Sequence, residues 1–267
     1  MTRTFRIIQV SDLHFGGENP AAVEAALAWF HQEKPDLLVV AGDLTRDGAK
    51  TEFAAARAWL DRAPGPLFAT PGNHDTPYAG PGELVERLIT PWRRYEARFG
   101  IADGAVWQTP GLSVFGVNTA RRAQLRWNWS KGAISVRQIR HLEGRLATAA
   151  GDVRIVVCHH PLMELTGEPM SSEVHGGRRA ARHLTAAGAD LVLSGHIHTP
   201  FAAPYPFGDG RTLAVVSGTL SLRERGVPPS FNLIEIDPSE IRVTALAFGK
   251  ADFTVWRSWA FDRRPAA

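Results

Sequence analysis

The chain has 267 residues, of which 44% are hydrophobic and 21% are charged, so it can bury the core of one large α/β domain. Its 30 basic and 27 acidic residues leave a formal net charge of +3 without a dense basic tract, which disfavours a nucleic-acid partner. The one cysteine excludes an intrachain disulfide and a zinc site made of paired cysteines. No apolar run approaches the roughly 18 residues of a membrane span, so we expect a soluble, cytoplasmic protein with a single domain over residues 1–267.

The first three quarters of the chain alternate predicted strands and helices. Continuous apolar runs, typical of strands covered on both faces, predict strands at residues 5–10, 37–40, 67–69, 113–117, 154–157 and 191–193. One helix is predicted to begin after a capping Asn19, with Pro20 in its first turn, and another after a capping box of Ser135 and Gln138. Further helices are predicted at residues 49–60, 82–99 and 178–187. This alternation indicates parallel strands joined by helices.

After residue 195 the pattern changes. Residues 212–217, 231–236 and 241–248 are predicted to be strands with no helix between them, which favours antiparallel pairing at this end of the chain. The Pro- and Gly-rich residues 76–82 and 200–210 are interpreted as loops. A parallel half followed by an antiparallel half predicts two packed sheets with helices outside them.

Polar side chains suited to binding metal follow five of the predicted strands. In chain order they are Asp12 and His14, then Asp43, then Asn73, His74 and Asp75, then His159, and finally His196 and His198. Because the carboxyl ends of strands form the ligand crevice of an open α/β sheet, we expect these clusters to converge. Mixed oxygen and imidazole donors suit manganese, iron or zinc better than calcium.

Local spacing suggests how these side chains reach the crevice. Asp12 and His14 stand two residues apart, and so do His196 and His198; in an extended segment this spacing points both side chains to one side. Glycines at positions 42, 72 and 195 permit sharp turns and close backbone approach at the strand ends.

The motifs Asp-x-His, Gly-Asp, Gly-Asn-His-Asp, a later His and Gly-His-x-His occur in this order over residues 12–198. This order resembles the calcineurin-like metallophosphoesterase superfamily, and within it the class III cyclic nucleotide and glycerophosphodiester phosphodiesterases. The resemblance implies an α/β fold with two packed mixed β-sheets flanked by helices in four layers. It also implies two transition-metal ions. Asp12, His14, Asp43 and His198 would hold one ion, and Asp43, Asn73, His159 and His196 the other.

The resemblance further implies a mechanism in which a metal-bridging hydroxide attacks a phosphodiester. His74 would contact the phosphate and assist the leaving group, and Asp75 would orient His74. The expected substrate is a small-molecule phosphate ester, and many similar proteins are dimers, so a homodimer is an option. Alternatives on the same site are a UDP-diacylglucosamine pyrophosphohydrolase, a phosphomonoesterase and a protein phosphatase.

Other function classes fit the sequence less well. A noncatalytic scaffold like the retromer subunit should lose ligands, whereas this chain keeps all seven and His74. A nuclease should carry a DNA-binding extension or a basic stripe. His160 is an alternative to His159 as a ligand, although the resemblance favours the first histidine of His-His-Pro.

Candidate substrate contacts are four residues near strand ends or in a crevice loop, namely Asn118, Arg121, Arg122 and His175. The alternative for Arg121 and Arg122 is that they are solvated loop charges, which is the more common role of such residues. Trp127 and Trp129 either stack on a substrate or pack inside the protein. Cys158 is interpreted as a small buried hydrophobe.

Overall fold

The computed structural model describes residues 4–78, 80–122, 130–149, 152–165, 167 and 174–263. Its helices are α1 (Pro20–Glu33), α2 (Lys50–Leu60), α3 (Pro81–Ile89), α4 (Arg93–Phe99), α5 (Val136–Thr148) and α6 (Gly177–Ala186), with a 3₁₀ turn at Asn73–Asp75. The strands are β1 (Phe5–Val10), β2 (Leu37–Ala41), β3 (Leu67–Thr70), β4 (Val106–Thr109), β5 (Leu112–Gly116), β6 (Val153–Val157), β7 (Leu191–Ser194), β8 (Phe201–Pro204), β9 (Leu213–Val216), β10 (Ser230–Ile236), β11 (Glu240–Phe248) and β12 (Phe253–Asp262).

Two mixed six-stranded sheets form the centre of the fold. The first sheet has the order β12-β11-β10-β1-β2-β3, with β1, β2 and β3 parallel and β10 antiparallel to β1. The second has the order β4-β5-β6-β7-β9-β8, in which β5, β6, β7 and β9 are parallel and the edge strands β4 and β8 are antiparallel. The predicted fold class is therefore confirmed. That residues 1–267 form one domain stays a prediction.

Alternate residues of each central strand pack into different hydrophobic layers. Ile7 of β1 lies between the two sheets with Val39, Ile155 and Leu193. Its neighbour Ile8 faces the opposite way, into a layer with the apolar residues of α1 and α2. A third layer joins the second sheet to α5 and α6. The fold therefore has four layers of secondary structure, in the order helices, sheet, sheet, helices, with one apolar interface between each pair of neighbouring layers.

Local capping signals fix where two of the helices begin. The side chain of Asn19 accepts a hydrogen bond from the backbone N–H of Ala22 at 3.2 Å, and Pro20 occupies the first turn of α1. At α5, the Ser135 hydroxyl accepts from the Gln138 backbone N–H, and the Gln138 side chain accepts from the Ser135 backbone N–H in return. Both helix starts agree with the sequence prediction.

The structure corrects several sequence expectations. The single helix expected at residues 82–99 is two helices, because Pro91 lies at the break between α3 and α4. Part of the loop expected at residues 200–210 is strand β8. Strand β9 is parallel to β7, so antiparallel pairing does not extend over the whole end of the chain. Strands β4 and β12 were not expected at all.

Helix α3 turns its apolar side to solvent. Its residues Leu84, Val85, Leu88 and Ile89 are 45–71% exposed, whereas the Arg87 side chain is buried and donates from Nε to the backbone carbonyl of Arg122 at 2.9 Å. Apolar spacing therefore predicted a helix here but not which of its faces would be buried.

None of the helices in the described part of the chain has the length and apolar character to cross a membrane.

One buried polar pair links the two sheets near their carboxyl edges. Gln9 of β1 donates from Nε2 to the carbonyls of Ser194 at 2.8 Å and Val215 at 3.3 Å, both in the second sheet. Its Oε1 accepts from Asn232 Nδ2 at 3.1 Å, and both side chains are fully buried. The pair fixes the end of β1 against the end of β7.

We expect Gln9→Leu to lower the free energy of unfolding by about 1–3 kcal/mol, because it removes the hydrogen bonds to two buried carbonyls and leaves an amide donor of Asn232 without its partner. Chemical denaturation measures this loss. Gln108→Leu, the same change at an exposed edge position, is the control and should shift stability by less than about 0.5 kcal/mol. Equal effects of the two substitutions would contradict the role of Gln9.

Candidate metal centre

The structure brings the predicted ligands together at one edge of the sheets. Three chain segments that follow β1, β2 and β3 contribute Asp12, His14, Asp43 and Asn73, and two that follow β6 and β7 contribute His159, His196 and His198. Ligand-type atoms of these carboxylates and imidazoles, together with those of His74 and His160, form overlapping groups, and the atoms of each group lie within 4.8 Å of one another. Both sheets thus contribute to a single cluster.

Asp43 lies between two halves of this cluster. Its Oδ2 is 3.8 Å from His14 Nε2 on one side and 3.3 Å from His159 Nε2 on the other. In the first half, Asp12 Oδ1 lies 3.1 Å from His198 Nε2 and 3.7 Å from His14 Nε2. In the second half, His159 Nε2 lies 3.3 Å from His196 Nδ1. The Asp43 carboxylate is therefore the group that the two halves share.

The backbone at the cluster is not extended, which corrects the sequence argument from alternating side chains. Positive φ angles occur at Asp12 (53°), His14 (47°), Asp43 (53°), His196 (71°) and His198 (61°). Among the other described residues that are not glycine, only Lys34, at the end of α1, has a positive φ. A left-handed backbone is unfavourable for such residues, by roughly 1–3 kcal/mol each, and such strain concentrates at functional sites. The left-handed backbone at these five positions, in the segments after β1, β2 and β7, directs the side chains into the cluster.

Backbone carbonyls orient the imidazole rings. His159 Nδ1 lies 2.8 Å from the Ala41 carbonyl, His198 Nδ1 lies 2.6 Å from the Arg223 carbonyl, and His14 Nδ1 lies 3.3 Å from the Thr45 carbonyl. A carbonyl only accepts, so each Nδ1 carries the hydrogen and each Nε2 faces the cluster. This is the arrangement in which an imidazole presents Nε2 to a metal ion.

Two buried polar atoms in the cluster have no hydrogen-bond partner. They are His14 Nε2 and Asn73 Oδ1. An unsatisfied buried acceptor is costly unless another group compensates it, and both atoms are ordinary metal donors. The donor set of carboxylate, imidazole and amide oxygen fits a first-row transition metal.

The pKa values leave lone pairs available on two imidazoles of the cluster, those of His14 and His196. Burial lowers the pKa of His14 to about 4 and that of His196 to about 3, although nearby carboxylates oppose the change. Burial lowers the pKa of His159, but the Asp43 carboxylate outweighs it and raises that pKa to about 9. Burial alone would raise the pKa of Asp43, but the imidazoles of His159 and His74 outweigh it and keep the pKa well below its ordinary value. The imidazoles of His14 and His196 are therefore neutral and the carboxylate ionised near neutral pH.

The His74 ring contacts the cluster through His14, and both of its nitrogens form hydrogen bonds. It stands edge-on to the His14 ring, with the ring centres 4.8 Å apart. Its Nδ1 donates to the Arg46 carbonyl at 2.6 Å, and its Nε2 accepts from Arg223 Nη1 at 3.0 Å. The backbone N–H of His74 donates to Asp43 Oδ1 at 2.8 Å. His74 is thereby coupled directly to the central carboxylate.

That Asp75 orients the His74 ring stays a prediction, and among the described residues the hydrogen bonds of its carboxylate go to other groups than that ring. The Asp75 carboxylate accepts from the backbone N–H groups of Leu44, Thr45 and Gly72, at 3.2, 3.0 and 2.9 Å. Burial, with a further contribution from Asp43, raises the pKa of Asp75 to about 7. Asp75 joins the loop after β2 to the loop after β3, and it shapes the site through the backbone.

The neighbouring histidines His159 and His160 have different surroundings. His160 Nε2 donates to the Ser130 carbonyl at 2.8 Å, and its Nδ1 accepts from the Thr119 hydroxyl at 2.8 Å. Both its nitrogens are occupied, whereas His159 Nε2 faces Asp43. Cys158 is buried, and burial raises the pKa of its thiol to about 12. The geometry favours His159 over His160 as a ligand.

The predicted substrate contacts are only partly brought together. Asn118 and Arg121 line one surface pocket, and Arg121 lines a second with His175. Neither lining includes a predicted ligand. Arg122 instead bonds to α3, donating from Nη1 to the Leu88 carbonyl at 3.3 Å. Trp127 and Trp129 lie outside the described residues.

Sequence reasoning missed the segment after β9. Thr219 donates from its hydroxyl to the Asp12 carbonyl at 2.6 Å, Ser221 follows, and Arg223 reaches His74. Because β9 is parallel to β7, this segment leaves the sheet at the same edge as the ligands. A parallel assignment for residues 212–217 would have revealed it.

Comparisons with known proteins agree with this geometry. A sequence model of the calcineurin-like phosphoesterases matches residues 5–200. A probable cyclic nucleotide phosphodiesterase of Synechococcus sp. is 24% identical over 257 residues, which cover 88% of this chain and 89% of that protein. A probable glycerophosphodiester phosphodiesterase of Arcobacter nitrofigilis is 23% identical over 72% of this chain and 71% of its own length. The structure of a purple acid phosphatase from yellow lupin seeds is similar in fold, with a TM-score of 0.66 at 15% identity over 98% of this chain and 54% of that one.

We expect Gly72→Ala to weaken metal binding by about 10–100-fold, because a Cβ at this position would lie 2.1 Å from Asp43 Oδ1 and 2.4 Å from the Asp43 backbone nitrogen. The backbone of Gly72 has an ordinary negative φ of −106°, so the clash alone causes the effect. Metal titration of the stripped protein measures it. Gly144→Ala, on the exposed side of α5 with open space around it, is the control and should leave metal affinity unchanged. Unaltered affinity in Gly72→Ala would show that Asp43 tolerates displacement.

Proposed function

This chain belongs to the calcineurin-like phosphoesterase family, and from that premise we propose that it hydrolyses phosphodiesters with two metal ions. The family is metal-dependent, and the chain is a phosphoric ester hydrolase. The observation that carries the proposal is the Asp43 carboxylate, which lies within 3.8 Å of His14 Nε2 and 3.3 Å of His159 Nε2. Two adjacent metal ions need one ligand that both can share, and a carboxylate placed between two sets of donors meets that need.

The donor sets follow from the two halves of the cluster. Asp12, His14, Asp43 and His198 would hold one ion, and Asp43, Asn73, His159 and His196 the other. The unpartnered His14 Nε2 and Asn73 Oδ1 support this division, since each half contains one of them. Manganese, iron and zinc all suit these donors.

When bound, two such ions would supply an activated hydroxide at neutral pH and would neutralise charge on the phosphate oxygens. The chain's own residues perform the remaining tasks. Asp43 positions His74 through the backbone N–H that donates to it, and the Arg46 carbonyl holds the ring by Nδ1. The Nε2 atom of His74 accepts from Arg223 Nη1 in the free protein, and it meets the leaving oxygen once a substrate phosphate draws the guanidinium away from it.

A phosphodiester is favoured as substrate because the relatives that cover most of this chain are named as probable cyclic nucleotide and glycerophosphodiester phosphodiesterases. A phosphomonoesterase and a UDP-diacylglucosamine pyrophosphohydrolase remain alternatives on the same site. A noncatalytic scaffold is disfavoured because all seven proposed ligands and His74 are kept. We also expect a small-molecule substrate, no nucleic-acid partner and a homodimer as an option.

A turnover assay tests the proposal. Protein stripped of metal and reloaded with manganese should hydrolyse bis(p-nitrophenyl) phosphate with a higher kcat/KM than p-nitrophenyl phosphate. A preference for the monoester would favour the phosphomonoesterase alternative. Absence of turnover of both compounds with manganese, iron and zinc would refute the proposal that the chain is an active phosphodiesterase.

Two substitutions should separate metal binding from leaving-group assistance. Asp43→Asn keeps the shape but removes the shared charge, so we expect metal loss and a fall in kcat of at least about 100-fold. His74→Ala should lower kcat by about 10²–10⁴-fold while both ions remain bound. Elemental analysis beside steady-state kinetics distinguishes the two effects. Loss of an ion from His74→Ala would refute the role assigned to His74.

A further inference from the structure

Arg223 lies at the edge of the cluster on the outer side of His74. Its Nη1 is 3.0 Å from His74 Nε2, the atom of His74 nearest to a leaving group in the proposed function. The His74 Nδ1 hydrogen is already donated to the Arg46 carbonyl, so Nε2 receives the guanidinium hydrogen. A permanent positive charge therefore stands beside the atom that would meet the leaving oxygen.

The position of Arg223 is fixed by its backbone. Its carbonyl accepts from Nδ1 of His198 at 2.6 Å, and its N–H donates to the Ser221 hydroxyl at 3.2 Å. The Ser221 hydroxyl in turn lies 2.7 Å from that of Thr219, which donates to the Asp12 carbonyl. Thr219 and Ser221 are fully buried. The same residue thus touches a proposed ligand through its backbone and His74 through its side chain.

The guanidinium remains available to an anion. Arg223 forms no ion pair with a carboxylate in the part of the chain that the structure describes, and its side chain is exposed. A guanidinium has five N–H donors, of which His74 engages one. It binds phosphate oxygens in a planar fork and does not give up its proton near neutral pH.

We infer that Arg223 binds the phosphate group of the substrate beside His74 and stabilises the charge that develops on the leaving oxygen. This inference rests on the proposed function. In the hydrolysis, an oxygen from water forms the new bond to phosphorus, and the bond to the leaving oxygen breaks with its electron pair kept by that oxygen. Of the two hydrogens of that water, one ends on the leaving oxygen, which departs as the alcohol, and the other stays on the new phosphate monoester or is released to solvent. Arg223 contributes charge and hydrogen bonds and transfers no proton.

The decisive measurement is the dependence of rate on the leaving group. We expect Arg223→Ala, with both metal ions bound, to lower kcat/KM by about 10²-fold for bis(p-nitrophenyl) phosphate. The loss should be larger for aryl phosphodiesters with less acidic phenols, because more charge then develops on the leaving oxygen. Arg223→Lys should recover part of the activity, since it restores the charge but not the fork.

Arg225→Ala is the matched control, because it removes a like charge from the same exposed segment. Its kcat/KM should stay within about twofold of the wild type, and metal content should be unchanged in every variant. A uniform loss across the leaving-group series, or equal losses in Arg223→Ala and Arg225→Ala, would overturn the inference. Loss of metal from Arg223→Ala alone would also overturn it, by showing that the backbone contact to His198 explains the defect.

A binding measurement separates this inference from the proposed function. Inorganic phosphate titrated into the manganese-loaded protein should bind about 10-fold more weakly to Arg223→Ala than to the wild type or to Arg225→Ala. If the wild type turns over no substrate and yet shows this loss, the proposed function fails while Arg223 remains an anion-binding residue. If turnover is normal and phosphate affinity does not depend on Arg223, the inference fails and the proposed function stands.

Discussion

Asp12 and Asp43 are carboxylates that the fold buries almost completely, with 0% and 2% of their surface exposed. Burying an ionised carboxylate away from water costs several kcal/mol, by order of magnitude, unless nearby groups of opposite charge or hydrogen-bond donors compensate the cost. The compensation comes from imidazoles of both sheets: His198 and His159 face Asp12 and Asp43, and their charge lowers the pKa of both carboxylates. Since β1 and β2 carry the carboxylates while β6 and β7 carry those imidazoles, the two sheets have to meet with their carboxyl edges side by side.

The meeting of the two carboxyl edges also restricts which residue can stand at position 195. A side chain at position 195 would place its Cβ 1.7 Å from Ser11 Oγ and 2.5 Å from Asp12 Oδ2, so only glycine lets the segment after β7 approach the segment after β1. This close approach allows the His196 backbone N–H to donate a hydrogen bond to Asp12 Oδ2 at 2.8 Å. The left-handed backbone at five of the proposed ligand positions persists because such contacts fix it from several sides. Bound metal ions would add favourable interactions to the folded state only, and so would offset part of the strain.

The sequence predicted what depends on local chemistry and missed what depends on distant partners. Asn19 and Ser135 mark helix starts because a cap acts within three residues, and the ligand motifs could be found because each directly follows an apolar strand. The direction of β9 could not be found in this way, since it is decided by pairing with β7, which lies across an intervening strand and loop. The left-handed turns at Asp12 and His14 were missed for the same reason: their stabilising bonds go to Gly42 and Asp43, about thirty residues away.

Asp75 shows that a residue of a recognised motif can make contacts other than those that its place in the sequence suggests. Adjacency to His74 suggested a contact with that ring, but a 3₁₀ turn directs neighbouring side chains differently. Asp75 points back to the loop after β2, and the ring is held instead by Arg46 and by Arg223, which is 149 residues away in the chain. The proposed ligands are thus residues that a motif identifies. The residues at the rim of the cluster, here Arg46 and Arg223, come from loops whose positions depend on the complete sheet order. Differences in substrate between proteins with the same ligands must therefore arise at the rim, where on the His74 side of this chain a guanidinium stands next to the proposed leaving-group position.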